Sequence, residues 1–245
     1  MLNDIKIAAG LNITYADDTL SKLSKFRLYP AITANYQIGN GLSVAAKFIG
    51  STVKTSYREL SAENAFIKAN NPVYFANNVY TLGASITGHI SNQFTINAGL
   101  DYGKYKNSLF YLNDTNNPSQ FLLKYDTGSI SKSDFYLELG YGKGSKAQLS
   151  LRGDYFVYGM DVLAEAWHRP QYQVDLQGIF NLYQKFLITP DIEFMGGIKS
   201  IDSAGNTITL DAIVDLNLKL EYLISDRFTA FVQFKNILSQ EYQLY

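Results

Sequence analysis

The chain has 245 residues, with 21 Lys+Arg against 22 Asp+Glu, two His (His89 and His168) and no Cys. Near-neutrality excludes the basic footprint of a general nucleic-acid binder, and the lack of Cys excludes disulfides, Cys-ligated zinc and thiol nucleophiles. No run approaches the ~18 uninterrupted apolar residues of a transmembrane helix, and two His make a histidine metal cluster improbable.

The sequence alternates instead. Weak apolar/polar alternation over 4–15, 26–37, 42–53 and 79–90 predicts four strands. Over 94–106, Phe94, Ile96, Ala98, Leu100 and Tyr102 alternate with Thr95, Asn97 and Asp101. The rhythm resumes over 133–142, where Phe135, Leu137, Leu139 and Tyr141 oppose Asp134, Tyr136 and Glu138. It continues over 146–158, with Leu149, Leu151, Tyr155 and Val157 against Gln148, Ser150, Arg152 and Asp154. Strands follow at 170–183, 186–199, 209–223 and 227–237. The clearest runs from Leu210 to Tyr222, where Asp211, Asp215, Lys219 and Glu221 fall between Leu and Val positions. Successive strand side chains point to opposite faces, so each segment has one apolar and one polar face. A helix would scatter the same leucines around its circumference.

These eleven strands are about 10–13 residues long, against ~5–6 in soluble proteins and ~9–11 for a tilted strand crossing a bilayer. Short turns (38–41, 91–93, 143–146, 184–185, 225–227) alternate with long links (16–25, 54–78, 107–132, 159–168, 200–208). Aromatics mark both ends of the apolar face: Tyr36, Phe94, Tyr141, Tyr183, Phe186, Tyr222 and Phe228 by the short turns, Tyr15, Tyr80, Tyr102, Phe135, Tyr155 and Tyr172 toward the long links. Long strands, alternating link lengths and two aromatic belts predict an all-β fold, an antiparallel transmembrane β-barrel wall. A soluble sandwich or lipocalin-like barrel fits them poorly. Pro30 and Pro190 fall inside strands and predict local bulges.

The first strand starts beside residue 1 at the short-turn end, and the eleventh finishes near Leu238 at the long-link end. Single-chain bacterial barrels have even strand numbers. The expectation is therefore a partial barrel whose final strand lies outside this chain; Met1 to Lys6 also lack signal-peptide character.

Residues 227–242 end in Asn236-Ile237-Leu238-Ser239-Gln240-Glu241-Tyr242. This segment resembles the close of TonB-dependent outer-membrane receptors, whose penultimate strand ends in an Asn-Leu-x-Asp/Asn-x-x-Tyr-like turn; Ile237 and Ser239 depart from that pattern. Trp167-His168-Arg169-Pro170 is similar to the family's habit of starting a late strand after a proline. The resemblance implies a 22-stranded barrel around a plug, with these strands as the eleventh to twenty-first and with the plug and first ten strands outside this chain. It implies the outer membrane of a Gram-negative bacterium and energy-coupled uptake of a nutrient such as a siderophore, vitamin or carbohydrate. The implied partners are outer-membrane lipid, the protein's own plug domain, TonB, a small-molecule or oligosaccharide substrate and a surface lipoprotein. Nucleic acid and cofactors are not among them. A passive porin-like channel and a structural or secretion barrel are the alternatives.

On this reading Arg152, Asp154, Asp175, Asp191, Glu193, Asp211, Asp215, Lys219 and Glu221 line the lumen, as charges that solvate a wall or bond a plug. Aromatic clusters in the long links, Tyr74-Phe75, Phe110-Tyr111 and Trp167-His168, are the candidates to meet substrate by stacking, but self-packing of the links or continuation of the outer girdle carries more weight. Catalysis is not expected: His89 and His168 fall at opposite ends of the strands, and no Gly-x-Ser-x-Gly occurs. No metal site is expected either.

Overall fold

The structure, a computed structural model, describes residues 5–16, 23–114, 116–144, 146–202, 204–241 and 243. Its elements are β1 (Ile5–Tyr15), β2 (Phe26–Ile38), β3 (Leu42–Val53), α1 (Tyr57–Glu63), β4 (Ala76–His89), β5 (Phe94–Asp114), β6 (Asn117–Lys143), β7 (Ala147–Gly159), β8 (Tyr172–Leu182), β9 (Phe186–Gly196), β10 (Lys199–Ile201), β11 (Thr207–Thr209), β12 (Ile213–Ser225) and β13 (Phe228–Phe234). Eleven strands form one antiparallel sheet in the order β1 to β9, then β12 and β13, while β10 and β11 make a separate small hairpin. Each strand pairs with its chain neighbours, an up-and-down meander with β1 and β13 at the edges of the sheet.

Register sorts the side chains into rows. Gln37, Ser43, Thr87, Asn97, Glu138, Arg152, Asp175, Glu193 and Asp215 are successive cross-strand partners from β2 to β12, all polar. One residue along, Ile5, Tyr36, Val44, Ile86, Ala98, Leu137, Gly153, Val174, Phe194 and Val214 form an apolar row from β1 to β12. A slip of one residue in any strand would exchange its two faces, so register is strongly specified. The apolar face carries exposed Ile7, Leu11, Leu28, Leu82, Leu100, Phe135 and Leu220 among others. So broad a bare hydrophobic surface is stable against hydrocarbon rather than water. Ring pairs rim that face at both ends: Phe94–Tyr141 at 4.8 Å and Phe186–Tyr222 at 4.7 Å beside the short turns, Phe48–Tyr80 at 5.8 Å and Tyr172–Phe194 at 5.7 Å toward the long links.

The structure departs from the sequence expectation in three places. The 107–132 link is not a loop: β5 and β6 run on as a tall hairpin, paired from Ser108–Asp126 to Asp114–Asn117. The proline bulges are replaced by gaps in pairing without a shift of register: β8–β9 drops the Gly178–Pro190 and Ile179–Thr189 pairs, and β2–β3 pairing stops at Ala31. Pro30 pairs in register with Leu11, and Pro190 pairs in register with Leu218. Toward β8, Pro190 is accommodated by Gly178, where an added Cβ would lie 3.1 Å from Pro190 Cγ. A small neighbour, not an inserted residue, makes the room. Register shifts fall instead between Ile49 and Ser51, between Asn78 and Tyr80, and between Lys106 and Ser108, a line across β3, β4 and β5 where the hairpin leaves the wall.

Gly50 sits on that line. An added Cβ would meet the Val79 carbonyl at 2.6 Å and the Asn78 carbonyl at 3.1 Å, backbone atoms that cannot swing aside. Gly50→Ala should destabilise the wall by about 1–3 kcal/mol and lower the midpoint of its heat-dependent gel shift. Gly142→Ala, with open space around the new methyl, should leave that midpoint unchanged.

Candidate functional site

The polar face is concave. Its large cavity, about 1280 Å³, lies toward the short-turn end and is lined by Gln148, Gln177, Asp191, Asp215, Lys219 and Gln233 among others. Charges there are held by near neighbours. Arg152 and Asp154, two residues apart on one face of β7, form a two-pronged pair, with Nε and Nη2 2.6–3.1 Å from the carboxylate oxygens. The same guanidinium lies 4.6 Å from the Tyr136 ring and 3.8 Å from Glu138. Gln173 Nε2 donates to Asp175 at 3.1 Å and to Glu193 at 3.3 Å, bridging two carboxylates that register sets side by side. Asn217 Nδ2 donates to Asp215 at 3.0 Å, and Lys219 pairs with Glu221 at 3.0 Å. Across β4, Lys47 and Asp101 meet at 2.7 Å above Gly83, where any Cβ would strike both.

One expected lining residue stands apart. Asp211 is exposed and precedes β12, which begins at Ile213. There the Gln240 side chain takes a strand's place: it accepts from the Val214 N–H at 2.8 Å and donates to the Ala212 carbonyl at 3.0 Å. It is carried back by a turn with positive φ at Asn236 and Ser239, closed by Ser239 N–H to the Asn236 carbonyl at 2.9 Å. Tyr242, the last residue of that sequence pattern, lies outside the described residues.

The long links fold onto the tall hairpin. Neighbours in a strand face opposite ways, so Phe110 and Tyr111 carry two separate cores. Tyr111 packs with Phe121 and Leu123 of β6 and Leu60 of α1. Phe110 packs with Ile130, Ala166 and Trp167. α1 is started by a capping box: the Glu59 N–H donates to Ser56 Oγ at 3.3 Å and the Ser56 N–H to Glu59 at 3.0 Å. Its last residue, Glu63, accepts from Tyr111 at 2.9 Å and pairs with Arg169 at 2.7 Å. Lys68 pairs with Asp114 at 2.7 Å. That contact and the Asn116 N–H hold the Asp114 carboxyl below the usual carboxylate range.

The link aromatics named as stacking candidates sit in and around these two layers. Phe110, Tyr111, Trp167 and His168 are all buried, because the hairpin they pack on needs apolar cover on both sides. His168 Nε2 lies 3.1 Å from Asn113 Oδ1 and 3.2 Å from Ser200 Oγ, edge-on to Phe121 at 5.2 Å. Ser200 donates to Asn113 and is itself buried, so this serine–histidine contact clamps the β10–β11 hairpin to β5. Tyr74 and Phe75 are half-buried, and the Tyr74 ring meets Tyr125 edge-on at 4.5 Å. His89 lines the large cavity, at the other end of the molecule from His168.

Sequence reasoning missed a patch where the polar face reaches the long links. Lys132 Nζ lies 4.1 Å from the Phe156 ring centroid and 5.7 Å from that of Tyr158. A smaller cavity of about 360 Å³ adjoins it, lined by Phe156, Tyr158, Leu163, Arg169 and Lys199 among others. The available signal was Phe156 and Tyr158 at positions of β7 where the alternation calls for polar residues.

Asp126 anchors the wall of that cavity. It is fully buried, and its Oδ2 accepts from the N–H groups of Asp161 (3.2 Å), Val162 (2.9 Å) and Leu163 (3.0 Å) while Oδ1 accepts from Gly128 (3.0 Å). Asp161 answers by accepting from the Ser129 N–H at 2.8 Å. Burial pushes the Asp126 carboxyl up, but the four backbone donors outweigh it and hold it below the ordinary value. A depressed folded-state pKa contributes stability that is present above the unfolded value and lost as pH falls through the folded one. The link should thus stay docked at neutral pH and loosen only in strong acid. At neutral pH Asp126→Ala should cost about 2 kcal/mol, read as roughly thirtyfold faster hydrogen exchange at Val162 and Leu163.

No family model matches the chain. No curated protein sequence matches it either. Solved structures do. The pyoverdine outer membrane receptor FpvA of Pseudomonas aeruginosa superimposes with a TM-score of 0.62 at 13% identity, over 89% of this chain and 33% of that one. The ferric-catecholate import receptor Fiu of Escherichia coli gives a TM-score of 0.65 at 10% identity, over 98% and 39%. The FrpB iron transporter of Neisseria meningitidis gives 0.60 at 11% identity, over 89% and 34%. The chain thus spans between a third and two fifths of the length of these proteins. Its fold is that of the β-barrel wall of TonB-dependent outer-membrane receptors.

Proposed function

We propose that this chain is part of the wall of an outer-membrane receptor that takes up an iron–siderophore complex by TonB-dependent transport. The outer face, apolar and rimmed by rings, suits the outer membrane of a Gram-negative bacterium. The structural neighbours are named as siderophore receptors and an iron transporter. The observation that carries the reading is the mouth patch: an ammonium laid on two aromatic rings, beside Arg169 and Lys199, at the outer end of a polar wall. Cations beside half-buried rings offer an anionic, ring-bearing ligand both charge and stacking. Tyr74, whose ring meets Tyr125 in the Tyr111 layer, and Phe75 are half-buried and are the other link aromatics that keep surface for a ligand. A plug seated against the polar row and TonB acting on that plug complete the mechanism; a passive pore has no need of the patch.

The test is binding and uptake of iron-loaded siderophores by the complete protein in cells. Lys132→Ala and Phe156→Ala should each weaken binding by about five- to thirtyfold, the range of a desolvated cation–π contact of about 1–2 kcal/mol. Lys219→Ala, on β12 and lining the large cavity, should change it little. Stable open conductance of the purified protein in planar bilayers, with no siderophore bound, would select passive diffusion instead.

A further inference from the structure

Arg27 opens β2 at the long-link end, on the polar face. It is the Cα partner of Thr14 in β1 and lies two residues before Tyr29, whose hydroxyl is 2.8 Å from Thr52 Oγ1. It is only 6% exposed, and Nε, Nη1 and Nη2 are all buried without a hydrogen-bond partner. Arg152, by contrast, is satisfied by Asp154 and Arg169 by Glu63. Nearby, Asn77, the Cα partner of Thr52, also has a buried and unpaired Oδ1.

A guanidinium stripped of water and given no acceptor is among the costliest groups a protein can hold. Its charge persists at any ordinary pH, so it cannot escape by losing a proton. Its planar fork matches one chemistry above others, two oxygens of one oxyanion. We propose that Arg27 is a binding site for an oxyanion, a carboxylate or phosphate group held in two-pronged fashion on the inner face of the wall. Lipid phosphates are excluded as the source, because Arg27 shares the polar face with Thr33 and Lys47 and not the face that carries Phe26 and Leu28. Two sources of the same chemistry remain: a small anion from solution, or the side-chain carboxylate of another segment of the complete protein packed inside the wall. The site is distinct from the Lys132 patch, which lies on β6 and β7, and it does not depend on the uptake reading.

The experiment compares the complete wild-type protein with Arg27→Met and Arg27→Lys by the temperature of the heat-dependent gel shift, with and without added acetate or phosphate. An unpaired buried charge is a liability, so its removal by a residue of similar volume stabilises the fold; removal of a paired one destabilises it. If the source is a solute, added anion raises the wild-type midpoint, Arg27→Met abolishes the response and Arg27→Lys weakens it. If the source is the protein's own carboxylate, Arg27→Met lowers the midpoint by several degrees, Arg27→Lys lowers it less, and neither responds to anion. A midpoint for Arg27→Met equal to or above wild type, with no anion response in the wild type, overturns the proposal. If Arg27→Met fails to assemble, Arg27→Lys decides alone: a lowered midpoint or a weakened anion response supports the site, and wild-type behaviour in both overturns it.

Discussion

A wall in hydrocarbon must satisfy its backbone N–H and C=O groups from within, because no water is there to do so. In this chain the antiparallel ladder meets that demand for the strands between the edges β1 and β13, and it also fixes which side chains face where. The polar row from Gln37 to Asp215 and the apolar row from Ile5 to Val214 are the same ladder seen from two sides. From this follows an inversion of the usual interior. The two buried hydrophobic clusters found among the described residues lie outside the wall, around Tyr111 and around Phe110. The wall's own apolar residues face outward, where lipid does the work of a core.

The links lie beyond the membrane and need a core of their own. The tall β5–β6 hairpin supplies it, because neighbouring residues of one strand serve two layers at once. Polar contacts then lock each layer in place: Glu63 to Arg169, Asp114 to Lys68, and Asp126 to the amides of residues 161–163. Asp202 does the same for the short hairpin beyond β10. Its carboxyl is held below the ordinary value by the backbone and side-chain donors of Asn206 and by the Ala204 N–H. Links assembled this way frame the ring-and-cation patch of Lys132, Phe156 and Tyr158 with packed structure.

How much of this was legible in the sequence depends on which solvent each face meets. Where one face meets lipid and the other a polar interior, as in β12, a period of two is plain and the strand stands out. The same logic explains the failure at 107–132. Leu109, Phe110, Tyr111 and Leu112 show no alternation because both faces of that hairpin are covered, and a doubly buried strand reads as a continuous apolar run. Trp167 and His168 are buried for the same reason, since the hairpin gives their link something to pack on. α1 went unread inside the 54–78 link, although Ser56 and Glu59 at capping-box spacing carried its signal. The docking of Asp126 was not, because its three amides lie 35–37 residues away, and only the fold brings them there.

Charge is also arranged along the wall, not only across it. Lys132, Arg169 and Lys199 at the mouth stand among the carboxylates of Asp134 and Glu165, while the row of Glu138, Asp175, Glu193 and Asp215 is acidic but for Arg152. Lys132 and Glu138 are six residues apart on β6, about 20 Å at a strand's rise. That is roughly two Debye lengths in physiological salt, so an anion at the mouth is largely screened from the acidic row through solvent. Through solvent the two zones are therefore electrostatically independent, and each is set by its own neighbours: Lys132 by the rings of Phe156 and Tyr158, the row by the pairings of Arg152, Gln173 and Asn217.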